Sequence, residues 1–201
     1  RARGDLTVRV SVSQHIDTLG PVTYIQQNIR RVATDPLFKD KDDMLRIIGI
    51  KTYLDGGMLT GSAYMREPWG VSKIYSIEDP AYRGVRFIEP EKLYRMARVA
   101  LASDLQFTAH SQGDAAVQTL VDTYERINRD DFPVGDKRPS ITHGSFMSAE
   151  TIAKMQRLGI VANLQPAWLY LDGATLRHHF GLERLAYFHP YRTLFERGVT
   201  V

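Results

Sequence analysis

The sequence predicts an α/β fold built on a parallel sheet, because predicted strands and helices alternate along its 201 residues. The alternation is most regular after residue 90, where each helical pattern is followed by a short apolar strand. Neither G-x-G-x-x-G nor G-x-x-x-x-G-K-[ST] occurs, although an open doubly wound sheet normally has a glycine-rich phosphate turn after its first strand. We therefore expect part of a (β/α)8 TIM barrel, with the open doubly wound sheet as the alternative.

The individual elements follow from hydrophobic periodicity and from helix-end signals. Six strands are predicted, over residues 6–13, 46–54, 105–110, 140–143, 160–165 and 199–201. Five helices are predicted, over residues 21–33, 90–103, 114–128, 148–158 and 190–196. Ser148 is a suitable N-cap for the fourth helix, and Gly159 a suitable stop. We expect one domain over residues 1–201, a barrel without its first strands and without the end of its last.

Two long segments lack a regular period, residues 55–89 and residues 166–189. Long loops inside compact domains are usually functional, so we expect residues 55–89 to form an active-site loop. The aromatic residues Trp69, Trp168 and Tyr170 in these segments are expected to cover an apolar or aromatic substrate. Ordinary loop packing explains the same aromatic residues equally well.

The composition excludes several classes of function. The net charge is +3 and the basic residues are scattered, so no nucleic-acid partner is expected. The absence of cysteine excludes disulfides and thiolate metal sites. No stretch approaches the ~20 apolar residues of a membrane span, and no signal-peptide core is present at the start. We therefore expect no membrane partner and a cytoplasmic protein.

Three polar residues lie in or at the ends of successive predicted strands: Lys51, His110 and His143. In a parallel barrel the C-terminal ends of the strands converge on one site, where neutral imidazoles can bind Zn²⁺ or a related ion. A buried lysine is costly as an ammonium unless it is paired or neutralised, and reaction with CO2 to a carbamate neutralises it. Spacing alone favours a metal site no more than structural roles, in which the histidines are hydrogen-bonded and Lys51 reaches the rim or pairs with Asp55.

The remaining candidates carry weaker signals. His15 follows the first predicted strand and could line the same mouth. Solvent exposure is expected for three other histidines, His178, His179 and His189. Asp114 is expected to be a helix N-cap, and a contact with a ligand histidine is its alternative role.

Four segments, in this order, resemble motifs of the amidohydrolase superfamily. The segment from Ile50 to Gly57 resembles its "vKxxxDG" strand, and the segment from His110 to Ala116 resembles its "HxxGDxA" motif. Ser140-Ile141-Thr142-His143-Gly144 is similar to its "RIEH" strand, and Val161 to Pro166 resembles the "xxxxQP" strand that follows. The branch resembled is amidohydrolase-3, which includes enzymes like N-substituted formamide deformylase.

The resemblance implies a (β/α)8 barrel with one or two divalent metal ions, commonly zinc. It implies that Lys51 is the carboxylated ligand bridging two metals and that His110 and His143 are ligands to the second metal. Asp55 and Asp114 are expected to lie behind these ligands and support them. The family also uses a His-x-His pair on its first strand and a general acid/base Asp on its last. The sequence contains no His-x-His, so we expect that pair before Arg1 and the Asp shortly after Val201.

The function implied by the resemblance is hydrolysis of an amide or formamide-like C–N bond outside peptides, by a metal-activated water. The expected partner is a small-molecule amide, and a homodimer is left open. Ser140-Ile141-Thr142 departs from the "RIE" pattern, which leaves the substrate open. Two alternatives remain: the same site hydrolyses an ester or phosphoester, or the barrel is a non-catalytic binding protein.

Overall fold

The computed structural model describes residues 4, 6–40 and 43–201. Within them, five parallel strands form one sheet in the order of the chain. The strands are β1 (Val10–His15), β2 (Leu45–Tyr53), β3 (Gln106–Ser111), β4 (Ser140–His143) and β5 (Val161–Asn163). The prediction of an α/β fold with a parallel sheet is confirmed.

Helices connect the strands and cover one face of this sheet. They are α1 (Val22–Val32), α2 (Pro36–Lys39), α3 (Pro90–Ala102), α4 (Asp114–Asp130), α5 (Ala149–Leu158), α6 (Ala167–Arg184) and α7 (Tyr191–Glu196). Helix α1 packs on α3, α3 on α4 and α4 on α5, which makes one continuous outer layer. A doubly wound sheet would carry helices on both faces, so the architecture is that of a partial (β/α) barrel, as predicted.

The main core lies between the strands and this helical layer. Ile50, Phe107 and Ile141 alternate with polar residues along their strands and are fully buried. Tyr124 of α4 is also fully buried, and its hydroxyl donates to the backbone carbonyls of Phe107 (2.8 Å) and Ser140 (3.0 Å). A single phenol therefore ties α4 to two neighbouring strands and helps to hold the strand ends that carry the candidate site.

The prediction of a second loop over residues 166–189 is wrong for most of that segment, because the segment contains helix α6. Its apolar residues have only a weak helical period, so the amphipathic signal is missing. Gly181 has φ 76° and ψ 169° and breaks the helix into two parts. The helix is held by packing with the 55–89 segment, which the sequence pattern does not show.

Smaller differences concern the first and last predicted strands. The first strand begins at Val10, four residues later than predicted, and continues to His15. Residues 199–201 are not in a strand, although Ala162 N donates to Thr200 O at 2.9 Å. The chain therefore runs beside β5 at this point without forming a regular ladder.

A second core cluster lies outside the sheet. It joins residues of the 55–89 segment to α6 and to the chain on either side of α5 and α6, namely Met58, Ala63, Met65, Trp69, Ile77, Phe146, Leu176 and Phe188. Residues 54–89 contain no helix and only isolated bridges, in agreement with the predicted long loop. No helix in the described parts of the chain has the length and apolar character needed to cross a bilayer.

Candidate functional site

The strand register brings the predicted ligands to one face of the sheet. Lys51 of β2 lies opposite Thr108 of β3, and Tyr53 lies opposite His110. Because side chains alternate along a strand, these residues all point away from the face that carries Ile50 and Phe107. The candidate site is therefore on the inner face, at the C-terminal ends of the strands.

His143 reaches this face by a local departure from strand geometry. It lies opposite Ser111, on the side that regular alternation assigns to the helices. Its φ of 83° breaks the alternation, and its ring lies 4.5 Å from the ring of His110, centroid to centroid. A left-handed backbone at a residue other than glycine is costly and often marks a functional position.

Hydrogen bonds hold the two imidazoles in defined tautomers. His110 Nε2 lies 3.2 Å from the carbonyl oxygen of Gly56, which can only accept, so Nε2 carries the proton and Nδ1 has a free lone pair. His143 Nδ1 lies 2.6 Å from Gln165 Oε1, so Nδ1 carries the proton and Nε2 is free. Such partners are those that orient metal-binding histidines in general.

Both imidazoles are held neutral. The pKa of His110 is lowered to about 4, mainly by burial; the hydrogen bond to Gly56 opposes this, and the nearby His143 and Lys51 contribute to it. Burial also lowers the pKa of His143, with Lys51 contributing and the bond to Gln165 opposing. A neutral imidazole with a free nitrogen is the form that binds a metal ion.

Lys51 and Tyr53 lie beside the two histidines. The Lys51 ammonium is 5.3 Å from the centroid of the Tyr53 ring, and that ring is 5.3 Å from the His110 ring. His15 lies opposite Lys51 on β1, and its ring is 5.6 Å from that of Tyr53. The structure thus places His15 at the site mouth. Tyr53 was not among the sequence candidates, although its spacing of two residues from Lys51 predicts the same strand face.

Asp55 links the end of β2 to the start of α4. Its carboxylate accepts the backbone N–H groups of Gln112 (2.9 Å), Gly113 (2.8 Å) and Tyr64 (2.9 Å), and lies 3.7 Å from His110 Nε2. Burial raises the pKa of Asp55 to about 7, against the opposing effect of these backbone bonds. Asp55 therefore acts as a clamp beside His110.

The contacts of Gly113 explain why the hydrogen bonds of Asp55 require a glycine in the "HxxGD" segment. A Cβ at this position would lie 2.0 Å from the carbonyl oxygen of Tyr64. The close approach of the two backbones is what lets the Asp55 carboxylate reach the N–H groups on both sides. The same segment adds a side-chain bond, since Gln112 Oε1 accepts the N–H of Met58 at 2.7 Å.

Asp114 does not have the geometry predicted for it. The N-cap of α4 is Gly113, and Asp114 is the first helical residue. Its carboxylate accepts the N–H of Arg66 at 2.8 Å, which ties the 55–89 segment to α4. A supporting role toward the ligands stays a prediction, and the hydrogen bond found for Asp114 is directed to the loop.

The three predicted substrate-contacting aromatic residues have different environments. Trp168 lies at the site, with its ring 4.9 Å from that of His143. Trp69 is 2% exposed in the second core cluster, where its indole N–H donates to Ala63 O at 2.8 Å. Tyr170 is 88% exposed on α6. The structure brings one of the three to the predicted ligands.

The three histidines expected to be exposed also differ. His178 is exposed, as predicted. His179 is half-buried, with Nε2 at 2.9 Å from Trp69 O. His189 is 3% exposed, which corrects the prediction, because Trp168, Phe188 and the stacked Tyr191 surround its ring.

The donor set fits a metal ion in its chemistry. No group of three or more His, Cys, Asp or Glu side chains within the described residues is placed to hold a metal by itself. His110 and His143 nevertheless present free imidazole nitrogens from rings 4.5 Å apart, and Lys51 lies close enough to depress the pKa of both. Conversion of Lys51 to a carbamate would add the oxygen ligand that the amine does not provide.

Comparison with known proteins agrees with this arrangement. The sequence profile of the amidohydrolase-3 branch, described as "Amidohydrolase family", matches residues 1–201. The chain is 30% identical over 145 residues to "Protein LONG AFTER FAR-RED 3" of Arabidopsis thaliana, a match that covers 71% of this chain. It is 23% identical over 150 residues, 75% of this chain, to YtcJ of Bacillus subtilis (strain 168), whose name places it among the amidohydrolases.

A solved structure shows the same fold. The crystal structure of an uncharacterized metal-dependent hydrolase from Pyrococcus furiosus superposes with a TM-score of 0.76 at 20% identity, covering 99% of this chain. The matched part of the chain spans 23% and 26% of the two curated relatives, and the chain covers 36% of the Pyrococcus furiosus protein.

Proposed function

Because this chain belongs to the amidohydrolase family, we propose that the protein hydrolyses amide or formamide-like C–N bonds of small molecules, outside peptides. The proposed cofactor is one or two divalent metal ions, and zinc is the ion that suits imidazole ligands. The observation that carries the proposal is the pair of neutral imidazoles with free nitrogens and rings 4.5 Å apart. Their partners, Gly56 O and Gln165 Oε1, fix which nitrogen of each ring is free.

Each residue of the site has a distinct part in this proposal. His110 Nδ1 and His143 Nε2 would hold the metal, and Asp55 and Gln165 keep the surroundings of the two rings in place. Reaction of the Lys51 amine with CO2, which gives a carbamate and a proton, would add an oxygen ligand. A divalent metal held there would supply an activated water and polarise the substrate carbonyl. Trp168, beside His143, provides a flat apolar wall for the substrate.

The first test is the replacement of Lys51 in the intact protein. We expect Lys51→Ala to lose metal and hydrolytic rate together, since the bridging carbamate is lost. Lys51→Arg should fail similarly, because a guanidinium stays charged and forms no carbamate. Lys51→Glu should retain part of the activity by supplying a shorter carboxylate. The measurements are metal stoichiometry by elemental analysis and turnover of formanilide and a matched phenyl ester.

The matched control is Lys39→Ala, since Lys39 is an exposed residue of α2 in the outer layer. This variant should keep the metal content and the hydrolytic rate of the wild type. Full metal content and wild-type turnover in Lys51→Ala would reduce Lys51 to a structural residue and remove the carbamate assignment. Turnover of the ester with none of the anilide would reject the proposed C–N specificity.

A further inference from the structure

The two ligand histidines have no hydrogen-bond donor left for a substrate. His110 uses its Nε2 proton on Gly56 O, and His143 uses its Nδ1 proton on Gln165 Oε1. The free nitrogen of each ring accepts or coordinates but cannot donate. Thr108 and Thr142, deeper on the same face, hydrogen-bond each other at 2.9 Å. The two histidine rings therefore supply no donor to a substrate, and a neighbouring side chain is the next candidate.

Tyr53 has the position and the free hydroxyl for this role. Its ring contacts those of His15 and His110, so two neighbours orient it. Its side chain is 47% exposed in this part of the barrel. Its hydroxyl forms no hydrogen bond with the residues that the structure describes.

We propose that Tyr53 donates a hydrogen bond to the carbonyl oxygen of the amide substrate during hydrolysis. This inference rests on the proposed function and adds a catalytic residue to it. Water adds to the carbonyl carbon, and the electron pair of the C=O π bond moves to oxygen, which accepts the hydrogen bond. The phenol keeps its proton. The C–N bond then breaks, nitrogen takes a proton, and the products are a carboxylic acid and an amine.

The test is Tyr53→Phe in the intact, metal-loaded protein, with formanilide as the probe. Loss of one donor to a developing oxyanion lowers kcat by about 100-fold, with KM changed by less than about threefold, because the bond strengthens in the transition state. Metal content should equal that of the wild type. Tyr24→Phe is the matched control, because Tyr24 is 58% exposed on α1 in the outer layer; it should keep the wild-type kcat.

A second measurement separates a hydrogen bond from a change in site shape. Thioformanilide replaces the carbonyl oxygen by sulfur, a weaker hydrogen-bond acceptor. The penalty of Tyr53→Phe should then fall to about threefold or less. An equal penalty for both probes, or a normal kcat for formanilide in Tyr53→Phe, overturns the role of Tyr53 and leaves the proposed function standing. Absence of anilide turnover in the metal-loaded wild type rejects the proposed function, and this inference with it.

Discussion

His189 is a polar residue enclosed by aromatic rings. Its side chain is 3% exposed, and neither ring nitrogen has a hydrogen-bond partner within the described residues. Burial lowers its pKa to about 4 from 6.5, and His143 contributes. The folded protein therefore disfavours the imidazolium form, whereas in the unfolded chain the imidazole is protonated with its ordinary pKa of 6.5.

This burial predicts a pH-dependent stability. Because the folded pKa is depressed, the unfolded state binds more protons between pH 6.5 and about 4, and stability falls as the pH falls through that window. His189→Phe should remove on the order of 2 kcal/mol of the stability difference between about pH 8 and pH 5. Urea unfolding at the two pH values measures it, with the exposed His178→Phe as the control. An unchanged difference in His189→Phe would show that this imidazole does not contribute.

At the scale of the element, helix α5 has complete signals at both ends. Ser148 Oγ accepts the N–H of Thr151 at 3.2 Å, and Thr151 Oγ1 accepts the N–H of Ser148 at 2.9 Å. Gly159 ends the helix in a left-handed conformation, φ 66°. On its outer side, Lys154 bridges to Asp122 (2.6 Å) and Glu125 (2.9 Å) of α4. Local caps determine the bounds of α5, and packing fixes it on its neighbour.

The cap can be tested separately from the packing. Ser148→Ala removes one partner of the reciprocal bonds and should lower the free energy of unfolding by about 1 kcal/mol. Ser103→Ala, at the C-cap of α3, is the control, because no hydrogen bond of its side chain is found in the described chain. Equal effects of the two changes in urea unfolding would argue against the capping bonds as the cause.

At the scale of the whole molecule, the site lies between two cores of different construction. The main core joins the sheet to the helical layer, whereas the second joins the 55–89 segment to α6. Arg184 of α6 donates to the carbonyls of Pro68 (2.5 Å) and Glu67 (2.8 Å), and Trp69 packs against Phe180. The loop and α6 therefore form one unit over the strand ends.

This division predicts local unfolding. Trp69→Ala empties the centre of the second core, at a cost of about 3–5 kcal/mol. Amide hydrogen exchange should speed up by at least about 100-fold in residues 54–89 and α6, and stay unchanged in α3, α4 and β3. Tyr170→Ala, on the exposed side of α6, should leave both regions as in the wild type. Equal acceleration throughout the chain would mean that the two cores unfold together.

The amino-acid sequence by itself determined the parallel α/β architecture, the bounds of α5 and the location of Lys51 and His110 on a common strand face. Each follows from signals within a few residues: strand alternation, helix period and caps. The sequence also predicted the long loop at 55–89, because that segment has no period of either kind.

Only the tertiary structure decided the environments of other residues. Helix α6 has a weak period of its own and depends on the second core, and His189 is buried by rings from α6 and α7. His143 faces the site because of its left-handed backbone, which the sequence pattern does not encode. Trp69 is in a core and Trp168 is at the site, although both are aromatic residues in aperiodic segments. Burial and orientation depend on partners distant in the chain, and a local pattern contains no information about those partners.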